Sequence, residues 1–440
     1  TEELSEIMKL CHAAGQGVVA QGGMTGLVSG ARPEDSELPI SFERMNGIDE
    51  LDSRTSTMTV QSGTPLQAIQ EQADAQGFLF PLDLGARGSC SIGGNLSTNA
   101  GGNRVIRYGM TRDLVLGVEA VLADGTIISS LNKMIKNNTG YDLKQLFIGS
   151  EGTLGVVTEA TLQCVDIPAS QQLVVVSLSS FDAALRCGAS IATLNPSAVE
   201  VVDELVLESA RKNAPLCIDE NSSALLCIEC KNGSEILESI LHKDGVLSGT
   251  LLKKEDEIEQ IWRFRNQSVG LLSSSGKNKR PVPFVEDCAV PPEKLADFIC
   301  DFRSLLDKHD LRAGMFGHVD AGVIHVRPAL DLCSQNDLSL IRTVTDAVAN
   351  LVRLYGGILW GEHGKGFRSE YGPEIFGNGL WEQICRVKAA FDPTNQFNPE
   401  KVAAPTPNHP LVSLDSKTRG STNNKIAQLP ILTNSIRCDG

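Results

Sequence analysis

The chain has 440 residues, of which 41% are hydrophobic and 21% are charged, and its formal net charge is −15. This length allows about two or three domains of roughly 150 residues each, and the acidic balance disfavours nucleic acid and anionic membrane surfaces as partners. No apolar run reaches the roughly 18 residues of a membrane span and no secretory signal is visible, so we expect a cytoplasmic protein, at most peripheral to a membrane.

The first predicted element is an amphipathic helix that starts at the first residue and carries Leu4, Ile7, Met8 and Cys11 on one face. Nothing precedes this helix that could form a first strand, and the chain stops at Gly440 without a structural end signal. We therefore expect the sequence to be a fragment of a longer polypeptide.

A glycine-rich loop follows a short strand predicted at residues 17–20. The loop, QGGMTGLVSG, runs from Gln21 to Gly30 and offers backbone N–H groups together with the hydroxyls of Thr25 and Ser29. Such a loop suits a bound pyrophosphate. A mobile surface loop is the alternative interpretation of this segment taken alone.

A second glycine-rich stretch begins at Gly85 and reads GARGSCSIGGNLSTNAGGN. It contains hardly any large side chain, so it suits a backbone that lies close against a ligand. Further along, Asp124-Gly125 predicts a hairpin turn, and GSEGTLGVVT, which starts at Gly149, places glycines ahead of another strand. Since a GxGxxG–helix unit is absent from the sequence, a Rossmann-type cofactor site is disfavoured.

These glycine stretches resemble the FAD-binding domain of the vanillyl-alcohol-oxidase/p-cresol-methylhydroxylase flavoproteins. The resemblance implies bound FAD, and a non-covalent link is favoured because no histidine lies between Gly15 and Gly30. The residues expected to bind FAD are Gly22, Gly23, Thr25, Gly26, Ser29, Gly85, Ser91, Gly93, Gly94, Asn95, Ala100, Gly101, Gly102, Glu151, Gly152, Gly155, Val157 and Asn398.

The expected fold class is α+β. Residues 1–165 are predicted to form a two-part FAD-binding domain without its N-terminal strand. Strand–helix units then recur, beginning at QLVVV, SALLC and PFVED, and indicate a sheet with helices packed on it. Residues 166–402 resemble the cap, or C-terminal, domain of FAD-linked oxidases, whose closing segment returns to the flavin. Residues 403–440 are predicted to be a tail or linker.

The cysteines do not indicate a disulfide framework, since twelve of them are scattered along the chain. Cys227 and Cys230 form a CxxC, but this lies within ALLCIEC, which is typical of a buried strand. We expect structural thiols in a reducing compartment.

Three of the seven histidines lie between residues 318 and 363. If Ala321-Gly322 is a two-residue hairpin turn, His318 faces His325 with Cβ atoms roughly 4.5–5.5 Å apart, and the two rings could share a metal ion. Strand alternation places Arg327 on the same face. Two unrelated strand histidines are the alternative interpretation.

The pair Glu362-His363 follows an apolar strand and is flanked by glycines. Two histidines and one carboxylate leave positions open on a divalent metal, with Zn²⁺ favoured. A plain surface acid is the alternative interpretation of Glu362.

This histidine and Glu-His set resembles the D-2-hydroxyglutarate, D-lactate and glycolate dehydrogenase family. The resemblance implies that His318, His325 and Glu362 hold the metal and that His363 is the catalytic base. It also implies that Arg265, in IWRFRN, binds a substrate carboxylate, although exposed arginines of an amphipathic helix are the alternative.

Two departures from that family concern the charge that would meet the substrate. The family's dehydrogenase carries a lysine where this chain has Val285 and an asparagine where it has Arg327. Arg327, Lys279 or Arg280 could supply the missing charge, and we take Arg327 with Arg265 as the predicted substrate-binding residues.

The predicted function is therefore FAD-dependent oxidation of a D-2-hydroxy acid. 2-Hydroxyglutarate is favoured, with D-lactate or glycolate as the alternative. The electrons would pass to a quinone, an electron-transfer protein or a fused iron–sulfur domain. Two readings from other classes are a reductase of the cell-wall UDP-sugar type and a non-catalytic, truncated FAD-binding fragment.

Overall fold

The first part of the chain, up to Asp166, forms one five-stranded sheet and two small two-stranded sheets. The computed structural model describes residues 1–168, 170–211, 215, 217–271 and 279–414, so most of the predicted tail, including Cys438, lies outside the described residues. None of the helices in these described ranges is both long and apolar enough to cross a bilayer.

Residues up to Asp166 supply nine strands and five helices. The strands are β1 (Val18–Gln21), β2 (Leu38–Ser41), β3 (Ile48–Asp52), β4 (Thr57–Gln61), β5 (Phe78–Leu79), β6 (Val115–Val121), β7 (Ile127–Ser129), β8 (Val156–Gln163) and β9 (Val165–Asp166). The helices are α1 (Glu2–Ala14), α2 (Leu66–Ala75), α3 (Ile92–Thr98), α4 (Val105–Tyr108) and α5 (Lys144–Phe147).

Five of these strands form an antiparallel sheet in the order β3-β4-β8-β6-β7, while β1 pairs with β2 and β5 pairs with β9. The hairpin predicted at Asp124-Gly125 is confirmed, since Val121 lies opposite Ile127 in the β6–β7 pair. The predicted first helix is confirmed as α1, but Ile7 is 41% exposed and Ser5 is buried in its place.

Residues from Gln172 onward form a second, larger sheet. Its strands are β10 (Gln172–Leu178), β11 (Ala198–Val202), β12 (Ala224–Cys230), β13 (Val246–Leu252), β14 (Arg280–Pro281), β15 (Cys288–Ala289), β16 (Ala313–His318) and β17 (Val323–Leu330). Its helices are α6 (Phe181–Ser190), α7 (Glu204–Ala210), α8 (Gly233–Ile240), α9 (Glu255–Leu271), α10 (Leu295–Asp307), α11 (Gln335–Leu354) and α12 (Gly372–Phe391).

The large sheet runs β13-β10-β12-β11-β16-β17-β14, and β15 also pairs with β17. Its strands are apolar on both faces because helices cover both: α6, α8, α10 and α11 contribute to one core, and α7 and α9 contribute to the other. The first two predicted strand–helix units are confirmed as β10–α6 and β12–α8. Cys227 and Cys230 are buried in β12, as predicted. The third unit has only the two-residue strand β15 before α10.

The hairpin of β16 and β17 differs from its predicted register. His318 lies opposite Val323 and His325 lies opposite Phe316, so the predicted direct His318–His325 pairing is wrong. Four residues connect the strands instead of two, because Asp320 turns inward and accepts hydrogen bonds from the backbone of Val199 (3.0 Å) and Ala321 (2.9 Å). A shift of two residues preserves the face of every side chain, so both histidines still lie on the side of the sheet that α9 covers.

The segment after α12 returns to the first part of the chain, as the resemblance implies. The backbone N–H of Val18 donates to the carbonyl of Gln396, and the carbonyl of Val18 accepts from the N–H of Asn398 (2.8 Å each). The buried ammonium of Lys388 holds this return, since its Nζ contacts Asp392 Oδ2 (2.6 Å), the carbonyl of Thr153 (2.8 Å) and the carbonyl of Phe397 (2.9 Å).

Candidate active site

A large cavity lies between the two glycine-rich stretches. It contains about 930 Å³ of space free of protein atoms, part of which is open to solvent. Of the predicted FAD-binding residues, those that line it are Gly22, Gly23, Thr25, Gly26, Ser91, Gly93, Gly94, Asn95, Glu151, Gly152 and Val157. The sequence prediction thus brings most of its residues to one cavity.

Two glycines of this cavity, Gly22 and Gly23, have no room for a side chain. A Cβ at Gly23 would lie 1.9 Å from the carbonyl oxygen of Ser89, and a Cβ at Gly22 would lie 2.2 Å from Ser91 Oγ. Within the described chain, Ser62 Oγ, Ser91 Oγ and Asn95 Oδ1 are buried in the cavity wall without a hydrogen-bond partner. Buried polar atoms ordinarily have partners, so this wall fits an extended polar ligand such as FAD.

Three predicted FAD contacts lie behind the cavity wall. The amide of Asn398 donates to the carbonyls of Gly30 and Glu151 (2.9 Å each) and thereby ties the pyrophosphate loop to the closing segment. Gly155 packs against Phe147, where a Cβ would lie 2.7 Å from the ring. Ser29 adopts a left-handed backbone with φ 55°. Direct contact of these three residues with FAD stays a prediction.

A second cavity adjoins the first and contains about 760 Å³ of empty space. Thr25, Gly26 and Asn95 line it as well as the first cavity, and the other predicted residues that line it are Gly85, Ala100, Gly101, Gly102, His318, His325, Arg327, Glu362 and His363. His363 lines both cavities, so the predicted base lies where the two cavities meet.

The three histidines converge on one carboxylate oxygen. The Nε2 atoms of His318 and His325 lie 3.2 Å from Glu362 Oε1 and 3.4 Å from each other, and His363 Nε2 lies 3.5 Å from the same oxygen. The rings of His325 and His363 stack with centroids 4.8 Å apart. The structure therefore brings together all the residues predicted for the metal and the base.

The other ring nitrogen of each histidine has a partner behind the cavity. His318 Nδ1 contacts Glu200 Oε1, His363 Nδ1 lies 2.6 Å from Glu286 Oε1, and His325 Nδ1 lies 3.3 Å from the backbone carbonyl of Glu286. With these partners at Nδ1, the nitrogen that each histidine presents to Glu362 is Nε2. Buried partners of this kind orient metal-binding histidines in proteins.

Sequence reasoning missed Glu200 and Glu286. Each is a carboxylate inside an otherwise apolar strand-like run, AVEVV and PFVEDC, and each is essentially fully buried. A buried charge inside an apolar strand needs a partner, so this pattern could have marked both residues as part of a site.

The electrostatics of the cluster favour positive charge at its centre. Burial alone would lower the pKa of His318, but Glu200 and Glu362 outweigh it and raise that pKa well above its usual value. Burial would likewise lower the pKa of His363, but Glu286 and Asp287 raise it to about 9. Burial would raise the pKa of Glu362, but the histidines hold it well below its usual range.

The donor set and its spacing fit a divalent metal. Four-coordinate Zn²⁺ with bonds of about 2.0–2.1 Å has ligand–ligand edges of about 3.3–3.4 Å. The three edges among His318 Nε2, His325 Nε2 and Glu362 Oε1 are 3.2, 3.2 and 3.4 Å. Two imidazole nitrogens and a carboxylate oxygen at this spacing can share one divalent cation.

The loop that carries Glu362 and His363 is held from two sides. Asp287 accepts hydrogen bonds from the backbone N–H groups of Glu362 (3.1 Å) and His363 (2.8 Å). Glu151, from the first part of the chain, accepts bonds from the N–H groups of Lys365 (2.7 Å) and Gly366 (3.0 Å). These two buried carboxylates fix the position of His363, the predicted base, relative to the first cavity.

The two predicted substrate arginines occupy different positions. Arg327 lines the second cavity, and its buried Nη2 has no hydrogen-bond partner among the described residues. Arg265 is 1% exposed, and its Nη2 lies 2.6 Å from Glu200 Oε2, behind His318. Arg327 therefore lines a cavity, whereas Arg265 is not among the described residues that line either cavity.

The alternative sources of substrate-binding charge lie on the outside. Lys279 Nζ is 3.5 Å from Asp337 and its side chain is half exposed, and Arg280 is an exposed residue of β14. Val285 is fully buried. Arg327 is therefore the candidate that the structure brings to the cavity.

Comparison with known proteins identifies the two halves of the chain. Residues 167–402 match the family model for the C-terminal domain of FAD linked oxidases, and residues 1–130 match the model for an FAD binding domain. Over 92% of its length the chain is 34% identical to D-2-hydroxyglutarate dehydrogenase of Escherichia coli (strain K12), of which it covers 47%.

Over 91% of its length the chain is 33% identical to the mitochondrial D-2-hydroxyglutarate dehydrogenase of Bos taurus, of which it covers 75%. It spans about half the length of the relatives from Escherichia coli (strain K12) and Pantoea ananatis. The fold also matches p-cresol methylhydroxylase with a TM-score of 0.71 at 15% identity, over 92% of this chain and 87% of that one. The chain belongs to the FAD-linked oxidase family, with an α+β FAD-binding domain of the p-cresol-methylhydroxylase type followed by the family's C-terminal domain.

Proposed function

We propose that the chain is an FAD-dependent dehydrogenase that oxidises a D-2-hydroxy acid, with 2-hydroxyglutarate as the favoured substrate, to the 2-oxo acid. The observation that carries this proposal is the convergence of three histidine Nε2 atoms on Glu362 Oε1, within 3.2–3.5 Å, at the edge of the flavin cavity. Relatives named D-2-hydroxyglutarate dehydrogenase support the choice of substrate.

His318, His325 and Glu362 would hold a divalent metal, with Zn²⁺ favoured, and the glycine stretches would hold FAD. When bound, the metal makes a coordinated hydroxyl more acidic and the flavin accepts a hydride. Proton removal and carboxylate binding depend on side chains of the chain itself.

His363 is placed to take the proton of the substrate hydroxyl. Its Nδ1 lies 2.6 Å from Glu286 Oε1, so Nε2 is the ring nitrogen that is left to act as the base. Asp287 and Glu151 hold the backbone of its loop, which keeps the ring at the junction of the two cavities. A base must lie within hydrogen-bond reach of the proton it removes, and a substrate hydroxyl at the junction of the two cavities would be within reach of His363.

Arg327 is the proposed anchor for a carboxylate. Its guanidinium lies over the Phe316 ring (4.9 Å from Cζ to the ring centroid), and its Nε lies 3.4 Å from Glu286 Oε2. These contacts orient the planar group while Nη2 is left for a ligand oxygen, and a guanidinium can bind a carboxylate through two parallel bonds. A cationic side chain in the cavity in addition to the proposed metal favours a dicarboxylate over lactate.

D-Lactate and glycolate remain the alternative substrates within the same chemistry. The electrons would leave the flavin for a quinone, an electron-transfer protein or a fused iron–sulfur domain. A non-catalytic FAD-binding fragment is the alternative from another class, and the buried histidine–carboxylate partners argue against it because FAD binding alone does not need them.

The proposal is tested by anaerobic bleaching of the bound flavin with a panel of D- and L-2-hydroxy acids. We expect rapid loss of the oxidised flavin absorption with D-2-hydroxyglutarate and slower or no loss with its L-enantiomer. Bleaching by D-lactate alone would move the assignment to a monocarboxylate, and a flavin that none of these acids bleaches would contradict the proposed activity.

A further inference from the structure

Arg265 lies behind the metal site rather than in the cavity wall. Its side chain is 1% exposed, and its Nη2 lies 2.6 Å from Glu200 Oε2. The other oxygen of Glu200 contacts Nδ1 of His318. One carboxylate therefore joins the arginine to a histidine whose Nε2 faces Glu362 at 3.2 Å.

The contact between Glu200 and His318 follows from the sheet register. The two residues are direct partners in the antiparallel pair of β11 and β16, so their side chains rise from the same face at the closest cross-strand spacing. The pairing of these strands fixes the two backbone positions side by side, while the direction of each side chain depends on its contacts.

The position of Arg265 follows from the packing of α9 on that face. Ile261 and Phe264 of α9 are buried in the same core cluster as Phe316 of β16. Arg265 lies one position beyond Phe264, with its guanidinium 5.5 Å from the Phe316 ring centroid. Helix α9 thus places the guanidinium of Arg265 next to Glu200, a carboxylate that has almost no contact with solvent.

A buried carboxylate needs a compensating charge. Removal of one partner of a buried ion pair destabilises a protein more than replacement of the whole pair by uncharged residues does, because it leaves a buried charge without a partner. Glu200 has two such partners, Arg265 and His318. Without Arg265, Glu200 would lose its fixed position, and the orientation of the His318 ring depends on that position.

We propose that Arg265 is a positioning residue for the metal: it fixes Glu200, which holds His318 with Nε2 free to ligate. Its loss would then appear in metal affinity rather than in the recognition of a substrate carboxylate. This inference rests on the metal site of the proposed function.

Arg327 provides a matched control on the same face of the sheet. It also pairs with a buried carboxylate, Glu286, but that carboxylate contacts Nδ1 of His363, which is the proposed base and not a proposed ligand. Loss of Arg327 should leave metal affinity unchanged and weaken substrate recognition.

The test is equilibrium dialysis of the flavin-loaded full chain against Zn²⁺, with metal analysis of each chamber. We expect Arg265→Met and Glu200→Gln to weaken Zn²⁺ binding by about 10–100-fold, the usual effect of losing a partner behind a ligand. The double variant should be no weaker than the worse single variant, because both act through His318. Arg327→Met should stay within about twofold of wild type.

Arg265→Lys covers the case in which the methionine variant fails to fold, since lysine keeps the buried charge but loses the planar fork. It should retain flavin and show an intermediate loss of Zn²⁺ affinity. Wild-type Zn²⁺ affinity in Arg265→Lys and Arg265→Met, together with a raised KM for D-2-hydroxyglutarate, would overturn the inference in favour of substrate binding. A wild-type chain that binds no stoichiometric Zn²⁺ would instead overturn the proposed metal site, and the inference with it.

Discussion

The backbone N–H of Gly102 donates a 3.1 Å hydrogen bond to Oε2 of Glu362. The other oxygen of Glu362 faces the histidines, so a residue of the glycine stretch predicted to bind FAD orients a proposed metal ligand. A Cβ at the neighbouring Gly101 would lie 2.7 Å from the same Oε2, which leaves no room for a side chain there. The glycine stretch predicted to bind FAD and a proposed metal ligand are therefore in direct contact.

From this contact we expect flavin and metal to bind cooperatively. A flavin that orders the glycine stretch would also fix Glu362, and the flavin-loaded chain should bind Zn²⁺ at least about fivefold more tightly than the flavin-free chain. Dialysis of both forms against Zn²⁺ measures this ratio. Because coupling is reciprocal, Zn²⁺ must raise FAD affinity by the same factor. Equal Zn²⁺ affinities would show that the contact carries no coupling.

Replacement of Arg327 should separate substrates by their distal charge. Arg327→Met leaves a substrate carboxylate without its guanidinium, and we expect a loss of about 2–5 kcal/mol in kcat/KM for D-2-hydroxyglutarate. D-Lactate lacks the distal group and should lose little. Lys279→Met is the control, since Lys279 lies in an exposed ion pair 3.5 Å from Asp337. Equal losses for both substrates would place Arg327 at the C1 carboxylate instead.

The flavin should be released by acid precipitation. The pyrophosphate loop contains no histidine or cysteine, and the cysteine that lines the cavity, Cys90, is a buried thiol whose pKa is raised by burial. A thiol held in its neutral form is a poor nucleophile. Yellow colour should appear in the supernatant. Colour that stays in the wild-type pellet but leaves with the Cys90→Ser variant would identify Cys90 as a covalent link.

Glu286 should set the pH range of activity through His363. The base must be neutral to accept a proton, so kcat/KM should rise as pH rises through the pKa of His363 and then level off. Burial opposes protonation, but Glu286 raises this pKa, and Glu286→Gln removes that stabilisation of the charged ring. The rise should therefore move to lower pH in the variant, while the plateau falls because the ring is less well held.

Profiles of kcat/KM from about pH 5 to about pH 10 on both proteins, at equal metal content, check this shift. A rise at the same pH in wild type and Glu286→Gln would mean that His363 is not the titrating base.

Local patterns in the sequence were sufficient to predict the cofactor loops and the histidine set. Glycines that must approach another backbone, such as Gly23, and a Glu-His pair between glycines are visible within a few residues of chain. The register of the β16–β17 hairpin could not be predicted from local sequence. It depends on a hydrogen bond between Asp320 and Val199, which is more than a hundred residues away.

The partners behind the site were missed for the same reason. Glu200 contacts His318 only because β11 and β16 are neighbours in the sheet. The sequence alone does not reveal that these two strands pair. The position of Arg265 depends in turn on how α9 packs over those strands. Arg265 was expected to contact substrate, and the structure shows it paired with a carboxylate that only the fold brings near.

The central claim is that metal and flavin act together on the hydroxy acid, and His325→Ala tests it most directly. His325 supplies one proposed ligand and lies 3.2 Å from Glu362 Oε1, whereas the wall of the first cavity is built from other residues. Metal content, flavin content and the rate of anaerobic flavin reduction by D-2-hydroxyglutarate are measured on one sample. The account predicts that the variant keeps its flavin, loses the metal that wild type holds and is not reduced by the substrate. Reduction at the wild-type rate by the metal-free variant would contradict it.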